Sequence, residues 1–263
     1  MHFTIYQASH IGGRKANQDR AGYAYTGEAL LMVLADGMGG HGHGELAAQT
    51  AVQTLLDAFA ATAQPRIPLP EAFLREGLQH AHEAILAAVQ AGKLEGSPGT
   101  TCVAVLVQDG QAYWLHAGDS RFYLLRGREI VAVTQDDSLV RQWVEWGIIS
   151  AADMKTHPAR NRITNCLGGD DMFSLGSVQS QLLQNDDLLL LCSDGLWGPL
   201  SDLEIGAAFS VAAPQPALDR LIGEALQREG HRSDNVTAIA ARWGAEEPLQ
   251  HAESVVLALA ATE

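Results

Sequence analysis

Long apolar runs, cysteine pairs and basic residues are all scarce in this chain of 263 residues. No apolar stretch approaches the roughly 20 residues needed to cross a bilayer. The first ten residues, MHFTIYQASH, lack a basic segment followed by an apolar one, so the expectation is a cytoplasmic protein with no membrane partner. Three cysteines, Cys102, Cys166 and Cys192, make an odd number without CxxC spacing, and two of them sit inside apolar runs. That argues against a disulfide framework or a zinc ribbon and suits small buried thiols in a reducing compartment. Seventeen basic against 31 acidic residues give a net charge of −14, which repels nucleic acid and anionic lipid and disfavours a nucleic-acid partner. Fixed-period repeats and low-complexity tracts are also missing. What remains is a 47% hydrophobic composition, ample for a sizeable core, and no reason to divide residues 1–263 into more than one domain.

The pattern of apolar residues changes period along the chain. From Phe3 to Ala35, FTIY, AGYAYT and EALLMVLA read as two or three strands that end at Asp36. Ala48, Val52, Leu55, Leu56 and Phe59 follow helical spacing, as do Leu74, Leu78, Ala81, Ile85 and Val89, which predicts two helices joined by QPRIPLP. Residues 100–134 break into short strands with glycine turns, the pattern of an antiparallel meander. Another strand, DLLLLCS, ends at Asp194. Asp136 to Leu167 is less regular and reads as a surface excursion, with one helix in LVRQWVEWG and a short one near Ser150. A helix over Pro216–Arg228 and a strand over Val236–Trp243 follow, and SVVLALA in the tail is a candidate edge strand. Strands, helices and strands again, without βαβ alternation, predict an α+β fold of antiparallel sheets covered by helices.

Five aspartates share one context. Asp19 in ANQDR, Asp36 in LADGMGG, Asp119 in HAGDSR, Asp194 in CSDGLWG and Asp234 in RSDNVT each border a strand-like run. A single Asp-Gly or Asp-Asn is more often a turn or a cap. Several carboxylates brought to one cleft cannot all stay ionised without compensating positive charge, and oxygen-only ligands select hard cations such as Mg²⁺ or Mn²⁺. The glycines that follow Asp36 in LADGMGGHGHGE fit an ion or phosphate held close to bare backbone.

In order, GGRKANQD, LADGMGGHGHGE, GTT, HAGDSRFYLL, RITNCLG, LLLCSDGLWG and SDNVTAIAAR resemble the metal-dependent Ser/Thr protein phosphatases of type 2C in their bacterial form, from about Gly12 to Arg242. The resemblance implies a four-layer α-β-β-α sandwich with two central antiparallel β-sheets and a flap at about residues 136–167. It also implies a two-metal centre at one end of the sandwich, holding Mn²⁺ or Mg²⁺, with a weaker third ion. Carried over position by position, Asp36 matches the carboxylate that bridges both ions and the Gly37 carbonyl a further ligand. Asp194 and Asp234 match ligands of the second ion, Asp19 a residue of its water shell, and Asp119 the ligand of the third metal. Arg14 matches the arginine that clamps substrate phosphate, a task suited to a planar fork. The implied reaction is hydrolysis of phosphoserine and phosphothreonine on proteins by a hydroxide bridging the two ions, opposing a bacterial Ser/Thr kinase, in a monomeric enzyme.

Three positions depart from the family pattern. Met38 follows Asp36-Gly37 where eukaryotic relatives carry histidine, which leaves His41, His43 or a metal-bound water to protonate the leaving oxygen. His41 and His43 also read as solvated loop histidines, and as a zinc site the pair lacks a thiolate or third histidine nearby. Gln18 stands where the family has glutamate, and Asp137 where it has histidine. These exchanges motivate a second reading, a catalytically weak member that binds phosphoproteins. The stress-regulatory branch of the family is a third, and Arg14 and the flap favour the first reading over it. Trp143 and Trp146 read either as a partner patch or as the flap's own small core, and Arg160 and Arg162 either as ordinary surface arginines or as contacts for an acidic or phosphorylated peptide.

Overall fold

Alternation along single strands decides the layers of this protein. In the strand Ala29–Met38, Leu31, Val33 and Ala35 are buried against helices, while Leu30, Met32 and Leu34 are buried against a second sheet. In the strand Leu188–Cys192, Leu189 and Leu191 face that same inter-sheet space, and Leu188, Leu190 and Cys192 face helices on the far side. A strand apolar on both faces is one covered on both faces.

The computed structural model describes residues 1–39, 43–94, 96–169, 173–210 and 212–244, and the backbone of 255–258. Its strands are β1 (Phe3–His10), β2 (Asp19–Tyr25), β3 (Ala29–Met38), β4 (Gly99–Thr100), β5 (Cys102–Gln108), β6 (Gln111–Ala117), β7 (Arg121–Arg126), β8 (Glu129–Val133), β9 (Leu167–Gly168), β10 (Gln179–Leu182), β11 (Leu188–Cys192), β12 (Val236–Trp243) and β13 (Val255–Ala258). The helices are α1 (His43–Thr62), α2 (Pro70–Gln90), α3 (Leu139–Glu145), α4 (Asp194–Trp197), α5 (Asp202–Phe209) and α6 (Pro214–Glu229). One sheet has the order β1-β12-β11-β7-β8, and the other β10-β6-β5-β3-β2-β13, with β4 paired to the end of β3 and β9 to β4. Strand pairing is antiparallel throughout the described residues. Helices α1 and α2 cover the second sheet and α4 to α6 the first, which gives the four α-β-β-α layers expected from the sequence.

Helix ends follow local chemistry. Ser201 and Glu204 form a reciprocal capping box at the start of α5, and a proline opens both α2 and α6. The strand expected in the tail is β13, paired on the free edge of β2. Cys102 and Cys192 are fully buried, and burial pushes the Cys102 thiol up to about 12, as inert core residues require.

The predicted meander over residues 100–134 is corrected. β5 and β6 pair in one sheet and β7 and β8 in the other, so the chain changes sheets at Gly118–Ser120. Hydrophobic alternation gives strands but not partners, and the glycine-containing GDS segment that looked like another hairpin turn is a crossover. Gly118 adopts φ +104, and a Cβ there would lie 2.6 Å from the Thr101 side chain. The excursion after β8 carries α3 and a 3₁₀ turn at Met154–Thr156, and Ser138 bridges to Ile163 to close its base.

Because Leu191 sits wholly inside the inter-sheet core, Leu191→Ala should cost about 2–5 kcal/mol of stability. Denaturant unfolding would measure it, and a loss below about 1 kcal/mol would contradict a close-packed inter-sheet layer.

Candidate metal centre

Strand register brings the first two aspartates together. Asp19 opens β2 and is the direct antiparallel partner of Asp36 on β3. Residues opposite one another point to the same face, and Asp36 continues the parity of Leu30, Met32 and Leu34, so both carboxylates sit at the mouth of the inter-sheet space. From the other sheet, Ser193 at the end of β11 donates its hydroxyl to Asp19 Oδ2 at 2.8 Å, and Asp194 follows it in the first turn of α4. Asp234 precedes β12, and Asp119 lies on the crossover between β6 and β7. Asp36, Asp119, Asp194, Asp234, Gly37 and Arg14 line one cleft of about 410 Å³. Residues separated by up to 220 positions in the chain therefore share one pocket.

The backbone around Asp36 is pinned by the two threonines of the GTT motif. Thr101 Oγ1 accepts from the Asp36 N–H at 2.9 Å, and the Asp36 carbonyl accepts from Thr100 Oγ1 at 2.9 Å and from the Thr101 N–H at 2.8 Å. Gly37 is required by packing: a Cβ on it would lie 2.1 Å from the Gly44 carbonyl oxygen, so only glycine lets the first turn of α1 press against β3. Gln18 reaches across this contact and donates from Nε2 to the Gly39 carbonyl at 3.2 Å.

Arg14 projects from a loop that the structure holds tightly. A Cβ at Gly12 would lie 2.0 Å from the Asp234 carbonyl oxygen and one at Gly13 2.2 Å from that of His231. Asn235 stitches the loop down, donating to the carbonyls of Ile11 and Ala16 and accepting the Gln18 N–H. The guanidinium is exposed and bonds Asp234 Oδ2. Asn235, Ser193, Thr100 and Thr101 are the supporting residues that the sequence reading did not single out as residues. Their signal was present, since Ser193 and Asn235 each neighbour a candidate aspartate and Thr100 and Thr101 form the GTT motif. His41 lies outside the described residues.

Electrostatics mark the cluster as one that expects a cation. Burial first, then the charges of Asp19, Asp194, Asp119 and Asp234, push the Asp36 carboxyl well above its usual range. Burial followed by Asp119, Asp234 and Asp19 does the same to Asp194. Asp19 is pushed up to about 6 and Asp119 to about 7, burial being the leading cause in both. Asp19 Oδ1 and Asp194 Oδ1 are buried with no hydrogen-bond partner, a costly state for a carboxylate oxygen unless something else satisfies it. The donor set is all oxygen, which fits hard divalent cations. Among the described residues no three acidic, histidine or cysteine side chains close in to form a direct cage, and an ion bound by one or two carboxylates and several waters needs none.

Asp137 has a structural duty. Its Oδ2 accepts from the Gly118 N–H at 3.1 Å and from Asn165 Nδ2 at 2.8 Å, so it ties both ends of the excursion to the residue before Asp119. Of the two excursion tryptophans, Trp143 packs edge-on against His157 at 5.1 Å while Trp146 is 67% exposed. Among the described residues no helix is long and apolar enough to cross a membrane.

Comparison with known proteins gives a consistent result. Residues 6–228 match the family model described as protein phosphatase 2C. The serine/threonine protein phosphatase PstP of Mycobacterium tuberculosis is 36% identical over 228 residues, 86% of this chain; the chain spans only 42% of that relative's length. The crystal structure of the serine/threonine phosphatase Stp1 from Staphylococcus aureus superposes with a TM-score of 0.84 at 32% identity, covering 92% of this chain and 95% of that one. The catalytic domain of PstP in complex with two manganese ions superposes with a TM-score of 0.74 at 33% identity, covering 91% and 97%.

A carboxyl whose pKa is raised by folding makes the folded state hold more protons than the unfolded chain, so its contribution to stability falls as pH rises from about 4 to about 7. A divalent ion needs the deprotonated forms, so its stabilising effect grows over the same window. The increment in melting temperature produced by saturating Mn²⁺ over chelated protein should therefore be larger at pH 7.5 than at pH 5. An increment independent of pH would contradict a buried carboxylate site.

Proposed function

The chain belongs to the protein phosphatase 2C family, and from that premise we propose that it is a metal-dependent protein serine/threonine phosphatase, hydrolysing phosphoserine and phosphothreonine on proteins and opposing a Ser/Thr kinase. The observation that carries the reading is the convergence of Asp19, Asp36, Asp119, Asp194 and Asp234 on one end of the sandwich, with two orphaned carboxylate oxygens and an exposed arginine at its mouth. In this proposal Asp36 and the Gly37 carbonyl, Asp194 and Asp234 hold two divalent cations, Mn²⁺ or Mg²⁺, with Asp19 steadying the second through water and Asp119 offering a weaker third position. When bound, such ions supply the positive charge that phosphoryl transfer to water requires and lower the pKa of coordinated water.

The chain's own residues do the rest. Arg14 presents five donors in a plane and can exchange its bond to Asp234 for two phosphate oxygens, orienting the phosphoryl group and stabilising charge that grows on it. The tightly held Gly12–Gly13 loop fixes where that fork begins. Both fully buried thiols, Cys102 and Cys192, lie in the helix-covered faces of the sheets, so neither serves as a nucleophile. His41, which follows Asp36 by five positions in the sequence, is the proposed donor of a proton to the leaving serine or threonine oxygen.

The alternative of a weakly catalytic phosphoprotein binder is less favoured. Gln18 and Asp137, the exchanges that motivated it, have local hydrogen-bonding duties and leave the five aspartates and Arg14 in place.

Hydrolysis of a phosphothreonine peptide should require Mn²⁺ or Mg²⁺ and vanish on chelation. Asp36→Asn should reduce kcat/KM by roughly a hundredfold or more, since the variant would lose the buried central carboxylate proposed to hold the ions; wild-type turnover of that variant at saturating Mn²⁺ would refute the assignment. Arg14→Ala should lose about 2–3 kcal/mol of transition-state stabilisation, read as a fall in kcat/KM.

A further inference from the structure

A second cleft, of about 830 Å³, runs from the metal centre between the excursion and the α4–α5 region, sharing Arg14, Asp119, Asp194 and Asp234 with the first. Its size is that of a ligand-binding site and its position is where the neighbours of a bound phosphoresidue must lie. In an acidic chain, most arginines are already committed: Arg20 to Glu45, Arg66 to Asp109, Arg121 to Asp136, Arg126 to Asp187 and Arg228 to Glu204. Arg160 on the excursion and Arg232 just before Asp234 are different. Both are exposed, both line this cleft, and neither side chain has a partner among the described residues.

Six carboxylates line the same cleft, and three of them, Asp119, Asp194 and Asp234, belong to the aspartate cluster whose charge the divalent ions of the phosphatase reading would offset. Asp202, also in the cleft, accepts from the Tyr123 hydroxyl at 3.1 Å and lies 3.8 Å from Arg121, so its charge is largely answered. Asp136 is held bidentate by Arg121 at 2.7 and 2.8 Å. Outside that cluster Glu229 remains as one exposed anion in a cleft that holds two uncommitted guanidinium groups. Met154 and the 83% exposed Leu203 add apolar surface to the cleft lining.

We propose that Arg160 and Arg232 form an anion subsite beside the metal centre, which selects phosphopeptides carrying a second negative group, a carboxylate side chain or another phosphate, close to the residue being dephosphorylated. The inference rests on the phosphatase reading above and names the substrate class for it. Guanidinium forks suit both oxyanions, and partial exposure keeps each contact modest, so two together give a preference of roughly tenfold.

The test uses the full chain with Mn²⁺ and three matched phosphothreonine peptides, whose flanking positions carry alanine, aspartate or a second phosphothreonine. The readout is the ratio of kcat/KM for each anionic peptide to that for the alanine peptide, at low and at 0.5 M salt. Wild-type ratios near ten, carried by KM and reduced by salt, with ratios near one in Arg160→Gln/Arg232→Gln, support the subsite. A larger ratio for the second phosphate assigns it to multiply phosphorylated substrates, and equal ratios assign it to acidic flanks. Wild-type ratios near one, or ratios that survive the double substitution, overturn the subsite while leaving the phosphatase reading intact. Absence of turnover on all three peptides by metal-loaded protein overturns both.

Discussion

Carboxylates that repel one another are gathered at one end of this sandwich, and the surrounding architecture is arranged to keep them there. Burial and four neighbouring charges act together on Asp36, and among the described residues the only short cationic contact to the cluster is Arg14 on Asp234. Such a cluster would spread if its backbone could move. It cannot move far, because the carbonyl and amide of Asp36 are bonded to Thr100 and Thr101, Asp19 is held by Ser193 from the opposite sheet, and Asn235 locks the loop that carries Arg14. Local instability at the site is offset by three continuous apolar layers, so the cost falls on a scaffold able to bear it.

Much of this was legible in the sequence, and the reason differs from element to element. The strands of β3, β5 and β11 and the helices α1, α2 and α6 declare themselves through period, since hydrophobic spacing reports burial directly. The aspartates declare themselves through shared context at strand ends. Strand partners do not, because pairing is decided by tertiary contacts, and the split of residues 100–134 between two sheets at Gly118–Ser120 left no mark in the alternation. Helices α4 and α5 also went unforeseen. The first is four residues long and starts at Asp194 itself, and the second is an eight-residue segment with little amphipathic contrast.

The departures from the family pattern gain a physical content from the structure. Gln18 donates an amide hydrogen to the Gly39 carbonyl, a bond an ionised glutamate could not make, so the exchange removes an anion from a crowded acidic site and adds a tie across the glycine-rich turn. Asp137 uses one oxygen to hold Gly118 and Asn165 together, a task that needs an acceptor with two free lone pairs. Sequence alone could name these positions but not their duties, because the partners lie 19, 21 and 28 residues away in the chain.

The same contacts bind the excursion to the aspartate cluster. Asp119 sits one residue after Gly118, which Asp137 holds, and its own carbonyl accepts from Trp197 Nε1 at 3.0 Å. Arg121 lies 3.6 Å over the ring of that tryptophan while gripping Asp136, the first residue of the excursion. Trp197 in turn closes the short helix that begins at Asp194. Two of the clustered aspartates and both ends of the excursion therefore share one small set of braces. The wall that carries Arg160 cannot be displaced at its base without loading the residues that position Asp119 and Asp194, so the surface proposed to meet the substrate and the carboxylates proposed to hold the ions are parts of one braced corner rather than two neighbouring devices.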